Sequence, residues 1–406
     1  MDRDQGSRWF QFFTKAHWAA ALFFFAIAIA YPIWRGLIAP KPEVDFRSFW
    51  FAGYLWAQGK NPYASSFSEL GKALLPPGNH VQWFYPPNWW LVCRALALFD
   101  LPTSLTLWRI TLTLILLGAT FAVVWMLTRG RPLARRALLA AAACALATTM
   151  EPSGDLLTAG QVSPILIYLG LALIICAQLS LSTVLLVIGL LFACLKPQVG
   201  LLLLVAFALS PSHRAAVTWA VLGSALLALP QIIPFGLVAT ARGMLANIAA
   251  YSGWEANSPL AMTGPSHLLA RMGMELPLAV QFALALLCAV TAGVLLRRSP
   301  QSVTALAFLF AAIAALVPLH SYDMSILLIV AALVLSLHRS KLRILLVCAA
   351  LLLIIRPSRI ESLFAVRIYA DVSGGAISYS VAAILLLAIA SYDVWVRRPL
   401  APVKGN

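Results

Sequence analysis

Long apolar runs, parted by short polar breaks, recur from Trp18 to Val396. Runs this long and this poor in charge read as membrane-spanning helices. The residue-by-residue alternation of a membrane β-barrel is absent. The pattern predicts spans near 17–38, 103–128, 162–178, 181–195, 199–210, 215–235, 277–296, 301–318, 324–337, 344–355 and 376–396. Shorter apolar stretches at 84–100 and 137–150 bring the total to about 11–13. Ala-Pro-Lys-Pro at 39–42 stops the first span, because proline removes a donor and fixes φ.

Two longer polar stretches interrupt the series, 39–83 and 236–276. In the first, Ser48 to Gln58 mixes aromatic with small and polar residues, as expected of a helix lying in the membrane interface. Asn61-Pro62 and Pro76-Pro77-Gly78-Asn79 are turn signals. Neither end carries a long soluble tail. The fold class is an all-α polytopic membrane protein, one integral membrane domain over residues 1–406.

Composition agrees: 62% of residues are hydrophobic and 11% charged, against about 25% charged in soluble domains. The formal charge of +15 suggests nucleic acid only on a soluble chain. Here the basic residues cluster between spans, at Arg129–Arg136, Arg297–Arg298, 338–343 and Arg397–Arg398, as the positive-inside bias requires. Attraction to anionic lipid or to a phosphate-bearing substrate is compatible with the same charge. The bias puts the N-terminus, with Arg3, Arg8 and Lys15, in the cytoplasm and both large loops outside. If 84–100 crosses, the arginines at 129–136 fall outside; if it re-enters, they fall inside. The apolar run near the N-terminus is long and is followed by Tyr-Pro-Ile-Trp-Arg, so it is not a cleavable signal. The six cysteines (93, 144, 176, 194, 288, 348) all lie in apolar segments without a CxxC pair, which predicts buried free thiols.

With fourteen Asp and Glu residues, elimination is informative. Asp45 stands just after the first span and before the aromatic run Phe46, Phe49, Trp50, Phe51, Tyr54, Trp56. A partly desolvated carboxylate there suits general-base work; an N-cap on the helix beginning near Arg47 is the structural alternative. Lys196 interrupts two apolar runs, either as a phosphate contact or snorkelling to an interface. Gln161, after Gly160, begins a span whose free N–H groups could hold an anion, or is a plain loop-to-helix turn. His320, with Tyr322 and Asp323 beside it, is a phosphate ligand or proton relay, or a hydrogen-bonded interfacial histidine. Phosphate-loop, zincin and serine-hydrolase motifs are missing. Apart from Asp2-Arg3-Asp4 in the N-terminal tail, so are DxD or DD pairs that would hold a cation against a sugar diphosphate.

Five stretches in order resemble glycosyltransferase family 87: DFRSFWFAGYLWAQGKNPY, FYPPNWWLVCRALALF, GQVSPILIYLGLAL, LKPQVGLLLL and LHSYDMSILL, across roughly residues 40–335. Ser163 stands where that family usually has Asn, and the second half aligns poorly. The family is similar to polyprenol-phosphate-mannose-dependent mannosyltransferases of the cell envelope. The resemblance implies a GT-C-type helical bundle in the inner (plasma) membrane, with its active site at the outer face. It implies an inverting transfer of a sugar, mannose by resemblance, from a polyprenyl-phosphate donor to a lipid or glycan acceptor. Asp45 would be the base, and no metal or other cofactor is called for. Lys196, His320 and the helix start at Gln161 would receive the phosphate, with Tyr322 and Asp323 in the late connector. Tyr63, Trp83 and Tyr85 could stack on sugar, whereas Trp89 and Trp90 read as an aromatic belt. The alternative function is a transporter or flippase of lipid-linked sugars, with Lys196 and Asp155 lining its path.

Overall fold

Good helix formers fill the apolar runs, and Pro, Gly and short polar residues part them. A computed structural model describes residues 3–38, 44–75, 83–254, 257–337, 340–363 and 376–396. The turn at 76–79 lies outside the described residues. In chain order the helices are α1 Arg3–Ile33 (continued by a π-helical turn, Trp34–Ile38), α2 Val44–Ala57, α3 Phe67–Leu74, α4 Trp90–Leu96, α5 Leu101–Leu127 and α6 Leu133–Thr149. Then come α7 Glu151–Ala159, α8 Ser163–Ser180, α9 Thr183–Cys194, α10 Pro197–Ala208, α11 Arg214–Phe235 and α12 Leu237–Ser252. The series ends with α13 Pro265–Arg271, α14 Leu278–Arg298, α15 Val303–Leu316, α16 Ile326–Leu337, α17 Lys341–Ile355, α18 Pro357–Leu363 and α19 Ala376–Trp395. Starts follow capping chemistry: Asp100, Ser182, Ser302 and Ser340 each accept a first-turn N–H. Among the described residues the extended pairing is limited to one bridge, Thr263 with Leu319.

By length and composition, six helices can cross a membrane, and α6 with α7, bent by 62° at their junction, make a seventh candidate. The chain is a multi-pass membrane protein. Several predicted spans are shorter. The 12 residues of α9 or α10 cover about 18 Å, against roughly 30 Å of bilayer core. Their polar breaks therefore fall within the depth of the bundle.

The contacts decide the topology that the sequence left open. At seven residues, or about 10 Å, α4 does not cross. It packs against α2 instead. Cys93 crosses Gly53 so closely that a Cβ there would lie 1.9 Å from the Cys93 carbonyl oxygen. One end of the bundle is then consistent. Arg129 donates to the Leu179 carbonyl (3.3 Å), Gln178 meets His213 (3.0 Å), and Ser210 donates to the Leu296 carbonyl (3.2 Å). Arg343 pairs with Asp393 nearby. The arginines at 129–136 thus share one face with Arg214, Arg297 and Arg298. Asp45, Gln161, Lys196 and His320 lie toward the other.

The first polar stretch is a packed part of the fold. Its predicted helix forms as α2, but Phe46, Phe49, Phe51, Ala52 and Leu55 are buried, not laid on a lipid surface. The Asn61 turn is held by Gln231 of α11, whose amide also receives the Trp56 indole N–H. Most of the second stretch is also helical: α12 fills 237–252. All six cysteines are free, yet only Cys93, Cys144 and Cys176 are buried; Cys348 is exposed on α17.

Candidate functional site

The site is assembled at three helix breaks. In each, a carbonyl that the break strips of its helical partner receives a donor from elsewhere, and the next residue turns toward a shared cavity. At the first, Gly160 ends α7 in the left-handed region (φ +63°), where a side chain would be strained. Its carbonyl accepts the Trp108 indole N–H (3.0 Å), and Gln161 follows. At the second, between α9 and α10, the Leu195 carbonyl accepts the Trp89 indole N–H (2.8 Å), and Lys196 follows with Pro197 opening α10. At the third, the Leu319 carbonyl accepts both the N–H (2.8 Å) and the hydroxyl (2.9 Å) of Thr263, and His320 follows.

Gln161, Lys196 and His320 all line one cavity of about 420 Å³, together with Tyr85, Tyr251 and Tyr322. Asp45, in the first turn of α2, accepts a hydrogen bond from the Gln161 side-chain amide across 116 residues of sequence. Its negative charge acts on Tyr85, Tyr251 and His320. The carboxylate is thus tied to the cavity through Gln161.

Gln161 has a side-chain role beyond the helix start it precedes. Its backbone N–H donates to the Leu156 carbonyl (3.2 Å), so that group is not open to an anion. Its side chain instead fixes one carboxylate oxygen of Asp45. Lys196 does not snorkel: its ammonium pairs with Asp323 (2.6 Å), and the two side chains are 13% and 4% exposed. The same Asp323 oxygen accepts the His320 N–H (3.0 Å). Asp323 therefore holds two lining residues and does not line the cavity itself. Lysine has three donors, so one ion pair leaves two for another acceptor.

The His320 ring stacks on Tyr322, with centroids 5.1 Å apart. Burial pushes the His320 pKa below the usual histidine range, against the pull of Asp323. Burial and then the charge of Asp45 push the Tyr251 hydroxyl up to about 12 and raise Tyr85 as well. At neutral pH the cavity therefore offers neutral imidazole and protonated phenols beside one ammonium.

Tyr63 is a correction. It is buried away from the cavity, and its hydroxyl donates to the Tyr85 carbonyl (2.5 Å). Trp83 is likewise buried, edge-on to Phe49 at 5.2 Å. Trp89 is fully buried and serves the Leu195 break, so it is no aromatic belt. Phe49 touches Trp83, Tyr85 and Trp89 at once. The aromatics of α2 thus position the 83–89 segment. Asp155 does not line the cavity; its charge, with that of Glu151, reaches Tyr379.

Sequence reasoning missed Met244, Ile248 and Tyr251, which α12 contributes to the wall. Their spacing places them on one helical face, and Tyr251 stacks on Phe84 at 3.9 Å. The signal was legible once 237–252 is read as a helix. Gln198 and Asn257 also line the cavity. Among the described residues no three His, Cys, Asp or Glu side chains converge as metal ligands. Neither a protein-family model nor a curated protein matches the chain.

Proposed function

We propose that this protein is an inverting membrane glycosyltransferase using a polyprenyl-phosphate sugar donor, as its resemblance to glycosyltransferase family 87 implies. The observation that carries the reading is the shared cavity. One carboxylate, fixed on one oxygen by Gln161, is tied through that residue to a space lined by Lys196, His320 and phenol hydroxyls. A base and an anion-receiving group joined at one partly apolar pocket are the two requirements of a transfer whose leaving group is a lipid phosphate.

In this mechanism the free oxygen of Asp45 takes the proton of the acceptor hydroxyl. The acceptor oxygen attacks the anomeric carbon while the bond to the phosphate oxygen breaks. Polyprenyl phosphate leaves with that electron pair. The two remaining Lys196 donors and the phenols of Tyr85 and Tyr251 stabilise its charge, more strongly here than in water. Neutral His320 supplies one further donor or acceptor. Tyr322 orients His320, and Asp323 orients Lys196. The sugar is mannose by resemblance, and the acceptor is a lipid or an envelope glycan.

The arginines at 129–136 share a face with Arg214, Arg297 and Arg298. The positive-inside rule makes that face cytoplasmic. The cavity then opens on the extracytoplasmic side of the plasma membrane, where lipid-linked sugars meet envelope acceptors.

The test is transfer by purified, reconstituted protein given a panel of polyprenyl-phosphate hexoses and a membrane-lipid extract as acceptor. Wild type forms a glycosylated product and Asp45→Asn does not, at equal abundance and monodispersity. Wild-type rates in Asp45→Asn would remove Asp45 as the base.

A further inference from the structure

A second cavity, of about 350 Å³, opens between α5, α6, α16 and α17. Its lining includes Thr128 and Arg131, at the basic end of the bundle. Val124, Leu139, Leu146, Leu328 and Leu335 form its walls, and Ala143 and Ala332 leave the space between them. Its mouth is different in kind: Thr128, Ser336 and the cation Arg131 close the lining.

Arg131 differs from Arg129 and Arg136. The Arg136 guanidinium stacks on the Trp125 ring at 3.9 Å, and Arg129 donates to the Leu179 carbonyl. The ion pairs Lys72–Glu69, Lys196–Asp323 and Arg343–Asp393 do not involve Arg131. An apolar cleft running into the bundle from one unpaired cation at the membrane edge matches a single amphiphile. Chains fill the cleft and an anionic headgroup meets the guanidinium.

We propose that this cleft is a binding site for one anionic phospholipid from the leaflet that bathes the basic face. Its place in the chain gives it a consequence. At its far end α6 passes through Met150 into α7 and the Gly160–Gln161 break. The turn Ser321–Ser325, which carries Asp323, runs directly into α16. A lipid wedged between α6 and α16 braces the two helices that lead to the partner of Asp45 and the partner of Lys196. The binding itself stands apart from the catalytic reading, and its readout needs no transferase activity.

The experiment uses the full chain, delipidated in mild detergent and titrated separately with phosphatidylglycerol and phosphatidylcholine. Bound lipid is read by native mass spectrometry and stability by the thermal midpoint. Wild type takes up one phosphatidylglycerol, which raises the midpoint more than phosphatidylcholine does. Arg131→Gln weakens phosphatidylglycerol roughly fivefold and abolishes the preference, whereas Arg135→Gln, outside the cleft lining, leaves it unchanged. Ala332→Phe fills the cleft, so it loses the bound lipid while its lipid-free midpoint stays at or above wild type. Equal binding of the two lipids by wild type overturns the proposal, as does an unchanged preference in Arg131→Gln. Displacement of phosphatidylglycerol by equimolar polyprenyl phosphate overturns it too, by assigning the cleft to another lipid.

Discussion

The Lys196–Asp323 pair can be tested by removing one partner at a time. The two charges meet at 2.6 Å with 13% and 4% of their side chains exposed. Screening is therefore weak. Lys196→Met leaves the Asp323 carboxylate buried with the His320 N–H at 3.0 Å as its remaining donor. Stranding one member of a buried pair costs about 3–5 kcal/mol. Asp323→Asn is milder, because Lys196 lines the cavity and its ammonium can take up water. The expected loss is about 1–3 kcal/mol, that of a buried hydrogen bond to a charge. The double variant removes both charges together, so its loss is smaller than the sum of the singles. The assay is thermal and denaturant unfolding of all four proteins in one detergent, with midpoints compared in a double-mutant cycle. Single losses under about 1 kcal/mol that add without coupling would refute the pair as a buried, mutually dependent unit. They would also remove the account of how Lys196 is held at the cavity.

Other outcomes follow from the same geometry. Gly53→Ala drives a Cβ to within 1.9 Å of the Cys93 carbonyl oxygen, a backbone clash that costs about 1–3 kcal/mol or more; size-exclusion should show loss of monodisperse protein, and a wild-type profile would contradict the α2–α4 crossing. His320 and His267 are held below the usual histidine pKa, chiefly by burial in both cases. The unfolded chain therefore takes up protons near pH 6.5 that the folded chain refuses, and stability falls as pH drops below that value. Thermal midpoints at pH 7.5, 6.5 and 5.5 should decline, and decline less in His267→Asn and His320→Asn; a rise toward acid pH reverses the assigned sign. Sugar transfer, once detected, should survive EDTA, since the DxD pair of the sequence, Asp2-Arg3-Asp4, lies in the N-terminal tail before the first span; loss that Mg²⁺ or Mn²⁺ restores would point to a metal-dependent donor.

Much of the site was legible because its residues are anomalies in an apolar chain. A lysine between two apolar runs, a His-Ser-Tyr-Asp connector and a Gly-Gln before a span each announce a break in a membrane helix. What those breaks do with their neighbours was not legible. The helix start after Gln161 reads as an anion site, but nothing in the sequence shows that the αL turn at Gly160 spends the Gln161 N–H on Leu156 and leaves its side chain to Asp45. Tyr63 and Trp89 looked like a sugar platform and a membrane belt. Both are packed inside, since aromatic residues near polar turns carry no mark of which face they serve. Residues 237–252 read as loop from sequence because Arg242 and Asn247 dilute the apolar signal, yet Asn247 is buried and donates to the Trp83 carbonyl (2.9 Å). The span count suffered from the same ambiguity: an apolar run of 12 residues looks alike whether it crosses or stops.

The three breaks explain why a cavity with polar walls persists in so apolar a chain. A helix interrupted within the bilayer depth exposes carbonyls that no water can satisfy, which is tolerated only where protein supplies partners. Here two indoles and one threonine supply them, at Gly160, Leu195 and Leu319. Because each donor addresses the carbonyl, the side chain of the following residue is left for other contacts. Gln161 goes to Asp45, Lys196 to Asp323, and His320 to Tyr322. The aromatic stretch around Asp45 therefore matters twice. It carries the carboxylate, and through Phe49 against Trp89 (4.7 Å) it steadies the indole that permits the break at Lys196.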